Sequence, residues 1–270
     1  PLQWLTLFIA IVLGGLSLTN GFVDWLTHFL ASFTLTQAFI PKIDYFFSFN
    51  SPSWSLCCEQ FFYLSFPFLI TRIKSPKRLL FYLSLCAILM LIGMSLTPDE
   101  LIRGYWYVNP ITRFPDFMVG ILLFFLYDRL KYTKLSSNLG TVLEVCSVVL
   151  FLVFYIYAAD IPKVYRYSIY YWLPVSGLLL VFAFQKGLLS KLLSARFVIV
   201  GGEISYSFYL IHLFIINAFV NWQKTADFQV SWIIAIPTLL VITISLSLLS
   251  YYYFEKPMNK LVKKKLGYVR

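Results

Sequence analysis

Few ionisable side chains interrupt the long apolar runs of this chain, and each one is a candidate for chemistry because lipid or a packed core would exclude it. Glu59 lies about one and a half turns into such a run, within Pro52-Ser53-Trp54-Ser55-Leu56-Cys57-Cys58-Glu59-Gln60-Phe61-Phe62-Tyr63. Nothing structural requires a carboxylate there. It could orient a base, or serve as an interhelical hydrogen bond or ion pair. Arg113 and Asp116 are three residues apart, the spacing that puts two side chains on one helix face. They could form a site, with the guanidinium meeting negative charge, or stitch helix ends together. Gly120, one turn further on, would let a second helix approach closely. His212 follows Ser205, Tyr206, Ser207 and Tyr209 in the middle of another apolar run. An imidazole at that depth is a general base or an interhelical hydrogen-bonder. Glu144, Asp128 and Glu203 read as structural.

The elements that must position these groups are membrane spans. Of 270 residues, 60% are hydrophobic, 20% aromatic and only 13% charged, and the mean hydropathy of +0.77 belongs to a chain in lipid. An ordinary soluble enzyme is excluded. Eight stretches approach the roughly 20 apolar residues that a crossing needs: 1–19, 54–71, 79–97, 115–130, 139–159, 167–184, 204–222 and 230–253. Basic residues test this division, because cytoplasmic loops collect Lys and Arg. Loops 72–78, 129–134 and 185–203 and the tail from 254 hold sixteen of the 22, and the alternate loops hold six. Every second loop is basic, which places Pro1 and the Lys263-Lys264-Lys265 tail on the cytoplasmic side. Confined to such loops, the net charge of +10 argues against nucleic acid as a partner and for a lipid bilayer. The expected architecture is an all-α, polytopic transmembrane bundle: one domain over 1–257 and a basic cytoplasmic tail over 258–270.

Phe22, Trp25, Phe29 and Phe33, with Leu26 and Leu30, recur at helical spacing beside Asp24, Thr27, His28 and Gln37. This pattern predicts a short helix lying in the outer interface, with His28 an interfacial side chain. The four cysteines (Cys57, Cys58, Cys86, Cys146) include no C-x-x-C pair and no metal-ligand spacing, so no metal site is expected. There is no phosphate loop, dinucleotide fingerprint, H-E-x-x-H or G-x-S-x-G motif. ATP-driven transport, zinc hydrolysis and serine hydrolase chemistry lose support accordingly.

Four segments together resemble the membrane-bound acyltransferase-3 family. Trp54-Ser55-Leu56-x-x-Glu59-x-x-Phe62-Tyr63, with Pro67, is similar to its W-S-L-x-x-E-x-x-F-Y signature. Arg113-x-x-Asp116-Phe117-x-x-Gly120 resembles R-x-x-E-F-x-x-G, with Asp in place of the more usual Glu. The others are Ile204-Ser205-Tyr206-Ser207-x-Tyr209-Leu210-x-His212 and Tyr253-Phe254-Glu255-Lys256-Pro257. The family's second Glu is absent, since Gln60 stands after Glu59.

The resemblance implies a ten-span core, of which eight spans are expected here, with Pro1-Leu2-x-Trp4-Leu5 similar to the start of the third. An R-x(10)-H segment, whose His is the family's base, would precede Pro1. The implied reaction moves an acyl group, chiefly acetyl, from acyl-CoA (acetyl-CoA) to a hydroxyl of a carbohydrate or cell-surface glycan at the cell membrane. Acyl-CoA is the donor substrate, and no tightly bound cofactor is implied. Loss of the hydroxyl proton calls for an imidazole held by a carboxylate. Glu59 would take the orienting role, Arg113 would steady Glu59 or an oxyanion, and His212 would join the catalytic set or line the path. Trp54, Tyr63, Asp116 and Tyr209 would meet substrate, and Arg72, Lys74, Arg129 and Arg196 would suit the phosphates of CoA. The rival readings are a transporter or flippase for a lipid-linked glycan and an inactive truncated family member. A transporter calls for Gly or Pro breaks in matching spans; Pro67, Pro174 and Pro237 form no such pattern.

Overall fold

The computed structural model describes residues 1–14, 21–73, 75–226 and 229–267. Among the described residues there is no strand. The α-helices are α1 (Leu2–Val12), α2 (Phe22–Phe33), α3 (Ile43–Phe46), α4 (Trp54–Arg72), α5 (Pro76–Leu96), α6 (Pro110–Leu130) and α7 (Ser137–Ile156). They continue with α8 (Lys163–Arg166), α9 (Trp172–Ala183), α10 (Leu188–Leu193), α11 (Arg196–Thr225), α12 (Trp232–Ser250) and α13 (Lys256–Lys265). Five are long and apolar enough to cross a bilayer by length and composition: α5, α6, α7 with its extension to Asp160, α11, and α12 running on to Lys265. The protein is therefore an all-α membrane bundle. Of the other three expected spans, α1 and the 169–183 stretch are shorter apolar helices. The 19-residue α4 is long enough but is made more polar by Glu59 and Gln60. Residues 15–19 of the first expected span lie outside the described residues.

Capping fixes several helix starts. Ser75 Oγ accepts the Arg78 amide at 3.3 Å ahead of Pro76, and Asn109 Oδ1 accepts the Ile111 amide at 3.0 Å ahead of Pro110. Ser136 Oγ accepts the Leu139 amide at 3.3 Å. In each case a polar side chain satisfies an amide that a helix start leaves unpaired. Proline directly after the cap costs nothing, because its missing N–H would have had no partner.

The chain divides into two compact units. One comprises Pro1–Gln37, Phe47–Trp54 and Arg196–Arg270, and the other Ala38–Phe46 and Ser55–Ala195. In the first, Leu7, Ala10 and Phe49 are buried, with Trp25, Phe29 and Phe214 packed on them. The aromatic stripe of α2 is present: Trp25 stacks on Phe29 at 5.4 Å and meets Phe49 edge-on at 5.9 Å. The His28 side chain does not face outward from the stripe as expected; it is only 2% exposed, with Nδ1 2.8 Å from the Asp24 carbonyl. The reason lies in its neighbours. Ala31 and Ser32 are small and share its face, so that face packs closely, and the Ser32 and Ser48 hydroxyls meet at 2.7 Å. Phe22, Leu30 and Phe33 take the outward positions instead.

In the second unit, Leu79 and Leu83 of α5 pack with Met118 and Ile121 of α6. Rings along α4 and α6 pair in register, Phe62 with Phe114 at 6.0 Å and Phe66 with Phe117 at 6.0 Å, so the two helices run parallel. Glu144 of α7 organises the chain after α9. At 1% exposure its carboxylate accepts the amides of Gly187, Leu189 and Ser190 at 2.9, 2.9 and 3.2 Å, and the Ser190 hydroxyl at 2.5 Å. It caps α10 from another helix, satisfying the amides that the N-terminus of α10 exposes. Gly187 is required for this approach, since a Cβ there would stand 2.2 Å from Glu144 Oε2.

Glu144→Ala leaves these amides without an acceptor and should cost about 2–4 kcal/mol, the scale for breaking a buried charge-assisted set. Gly187→Ala should destabilise comparably by steric conflict. Thermal melts in lipid nanodiscs check both, and an unchanged melting temperature for either variant would remove the clamp from the account.

Candidate functional site

Glu59 lies on the exposed face of α4, one turn before Tyr63, which is 66% exposed. The opposite face buries Leu56, Cys57 and Cys58, and the Cys58 thiol donates to the Val108 carbonyl at 3.3 Å. Glu59 makes no hydrogen bond or ion pair with any described residue. Arg113 does not reach it, being engaged elsewhere. Trp54, half-buried, opens the same helix.

Arg113 and Asp116 do meet. Arg113 Nε lies 3.0 Å from Asp116 Oδ2, and the guanidinium also donates to the Tyr167 carbonyl. Asp116 Oδ1 accepts the Ser168 hydroxyl at 2.9 Å and the Trp172 indole N–H. Two helical residues thus hold the turn that begins α9, which is the stitching alternative realised. The pair is not sealed off, since each side chain is about one quarter exposed. Both line a cleft of about 220 Å³ with Gly120, Trp172 and Ser176. Gly120 does not serve a close helix approach: a Cβ built there meets nothing within 4 Å. Its missing side chain leaves cleft instead, one turn beyond the hydrogen bonds that Asp116 accepts from Ser168 and Trp172.

His212 and Tyr209 belong to the other unit. His212 Nδ1 lies 2.7 Å from the Tyr209 carbonyl, and its ring stacks on Phe208 with centroids 6.0 Å apart. The expected interhelical bond is replaced by one within α11. A carbonyl can only accept, so Nδ1 carries the proton and a neutral ring keeps its lone pair on Nε2. The same stretch of α11 is braced from two sides. Asn50 Nδ2 donates to the Leu210 carbonyl at 3.2 Å, and the fully buried Ser207 donates to Glu255 Oε2 at 2.8 Å. Glu255 sits in the π-helical turn 251–255 that follows α12. The third and fourth sequence segments therefore meet through one hydrogen bond.

The chain as a whole matches an established family. The acyltransferase domain family matches residues 3–252, nearly the whole chain. The chain belongs to this acyltransferase family. It is 30% identical over 237 residues to YrhL of Bacillus subtilis, provisionally named a peptidoglycan O-acetyltransferase; the match covers 81% of this chain and 37% of YrhL. It is 28% identical over 236 residues to the O-acetyltransferase OatA of Staphylococcus aureus, covering 81% of this chain and 38% of OatA. Against the acyltransferase MdmB of Streptomyces mycarofaciens it is 28% identical over 199 residues, covering 68% and 49%. The chain thus spans less than half the length of each of these relatives. No solved structure matches it.

Among the cations assigned by resemblance, the family member places Arg72 and Arg129 at the C-terminal ends of the parallel helices α4 and α6, both exposed. Arg196 begins α11 and lines an apolar groove of about 870 Å³ with Phe197, Gly201, Phe208 and Leu248. Lys74 lies outside the described residues. Sequence reasoning gave no role to Ser207, Asn50, Ser168 or Trp172. Ser207 and Glu255 stand in two of the family-like segments, which marked the residues but not that they meet, and nothing marked Asn50.

If Gly120 leaves open space, Gly120→Ala should be neutral or stabilise by up to about 1 kcal/mol, the helix-propensity gain. A substantial fall in melting temperature would show that a helix or an ordered lipid needs the glycine.

Proposed function

We propose that this chain is the membrane-embedded catalytic part of an O-acyltransferase that moves an acetyl group from acetyl-CoA to a hydroxyl of a cell-wall glycan, with peptidoglycan the favoured acceptor. The observation that carries the reading is the family match across residues 3–252, together with relatives named as O-acetyltransferases. The site chemistry supports it. Glu59 is a carboxylate on a helix of an apolar bundle with no partner among the described residues, a costly arrangement unless the group is used.

In this reading Glu59 receives the N–H of an imidazole and holds its ring so that the other nitrogen faces the acceptor hydroxyl. The hydroxyl oxygen attacks the thioester carbonyl as its proton passes to the imidazole. The carbonyl carbon then releases the CoA thiolate, which recovers a proton. The negative charge that builds on the carbonyl oxygen calls for a fixed cation or N–H donor, the role assigned to Arg113. On the resemblance, that imidazole is the histidine of the family's R-x(10)-H motif. His212, with Nε2 available, is the other imidazole that this reading offers to the reaction, as a path-lining residue.

The donor side is assigned to the basic end. Arg196 on the wall of an apolar groove suits a ligand with a phosphorylated head and a long thin arm, which describes acyl-CoA. Arg72 and Arg129 add positive charge at the end of the second unit. The loop-charge asymmetry supports a cytoplasmic position for these basic loops and for the C-terminal tail, the compartment in which acyl-CoA is found.

Glu59→Gln should lower transfer of radiolabelled acetyl from acetyl-CoA to peptidoglycan by at least about a hundredfold, the lower range for loss of positioned acid–base catalysis. Abundance and insertion should stay normal. Transfer within a few-fold of wild type would remove Glu59 from the mechanism. His212→Gln should reduce turnover less than Glu59→Gln, and the reverse order would make His212 the base.

A further inference from the structure

At the end of the second unit opposite its basic end lies a cavity of about 600 Å³ that no sequence segment announces. Three separate stretches build it: the segment around Pro41–Phe46, the turn after α5, and the turn around α8. Asp99, Glu100, Arg103 and Lys163 stand on its wall, with Phe46 and Tyr167 supplying apolar surface. All four charged residues are exposed, and none makes a side-chain hydrogen bond or ion pair with any described residue. Two carboxylates and two cations thus share one cavity without neutralising each other.

This composition selects a class of ligand. A polyphosphate or another dense anion would be repelled by Asp99 and Glu100, and a simple cation by Arg103 and Lys163. A molecule with many hydroxyl and amide groups meets neither penalty, because it donates to the carboxylates and accepts from the guanidinium and ammonium in charge-assisted hydrogen bonds. The volume lies within the usual range for small-ligand sites. The shape is set by covalent economy at Gly104, where a Cβ would stand 2.9 Å from the Pro41 carbonyl oxygen, so the turn carrying Arg103 packs directly on the Pro41 backbone.

The cavity is also joined to the Arg113–Asp116 cluster. Tyr167 lines both the cavity and the cleft between α6 and α9, and its carbonyl accepts from Arg113. The three stretches around the cavity (38–46, 98–109 and 157–171) hold four acidic and four basic residues, whereas the opposite end carries the excess of Lys and Arg. On the positive-inside rule the cavity opens outward, where a cell-wall acceptor lies.

We propose that this loop cavity is the acceptor site, binding a carbohydrate through Glu100, Arg103 and Lys163; the inference rests on the acyltransferase reading above. The test uses the intact protein in nanodiscs, with a peptidoglycan disaccharide fragment as the probe. Binding of the fragment and acetyl transfer to it are both measured. Glu100→Gln, Arg103→Gln and Lys163→Gln should each weaken fragment binding by tenfold or more and raise its KM, leaving the KM for acetyl-CoA unchanged. Lys134→Gln, at the opposite end, should alter neither. Glu100 and Lys163 contact no described side chain by hydrogen bond or ion pair, so their variants carry the test even if Arg103→Gln fails to fold.

Wild-type affinity in all three variants would overturn the acceptor site, while continued acetyl transfer would leave the acyltransferase reading intact. Fragment binding that is lost in the variants, from a wild type that transfers no acetyl, would keep the site and overturn the reaction. A wild type that transfers acetyl to intact peptidoglycan but does not bind the fragment would place the acceptor elsewhere.

Discussion

A polar group at the depth of a bilayer's hydrocarbon has no water to fall back on, so it must find its partner within the protein or carry a cost of several kcal/mol. The helical architecture follows for the backbone, since a helix pairs its own amides and carbonyls. The side chains follow the same logic less uniformly. Glu144 takes four hydrogen bonds from the start of α10, Asp116 takes bonds from Ser168 and Trp172, and Ser207 donates one to Glu255. Each bond ties segments that are distant in sequence. With lipid tails as apolar as leucine, apolar contact alone discriminates weakly between helix pairings, and these polar joints supply the specificity.

That division explains how much was legible in the sequence. Apolar runs and the alternation of basic loops located the helices because both arise from the bilayer itself, a one-dimensional constraint. The caps at Ser75, Asn109 and Ser136 are local too. Boundaries were misplaced where a helix outruns its apolar stretch: α11 starts at Arg196 rather than 204, because its first turns carry Arg196 and Glu203 outside the apolar window. The start of α6 was set too late, at Pro115, although Asn109-Pro110 holds the true cap; Pro115 stands inside the helix, where it gives up one backbone hydrogen bond.

The partners of each polar group were not legible, since they depend on helix rotation and on turns far away in sequence. Glu144 illustrates this: no pattern surrounds it, and its four donors lie more than 40 residues away. His28 was assigned to the interface from an aromatic stripe that does exist. The face that packs was decided instead by Ala31 and Ser32, whose small size counts for more in lipid than it would in water. Gly120 shows the converse, a small residue whose neighbour proved to be space.

Glu144 and Glu59 pose the sharpest contrast, being two carboxylates in apolar runs of the same unit. Every lone-pair direction of Glu144 is directed at a donor, so its charge is spent on holding the fold, and any ligand would have to displace bonds that the fold requires. Glu59 has no such commitment among the described residues, and neither do Asp99, Glu100, Arg103 and Lys163. A membrane protein gains nothing in stability from a charge left unpaired on a helix at membrane depth, and evolution can remove it with one substitution. Unpaired charge is therefore the better guide to function, and paired charge the better guide to architecture. On that criterion Arg113 and Asp116 stand between the two: they secure the start of α9, yet each remains about one quarter exposed along the cleft. Such a pair can hold a wall and face a substrate together, with the hydrogen bonds that fix α9 also fixing the direction in which the guanidinium points.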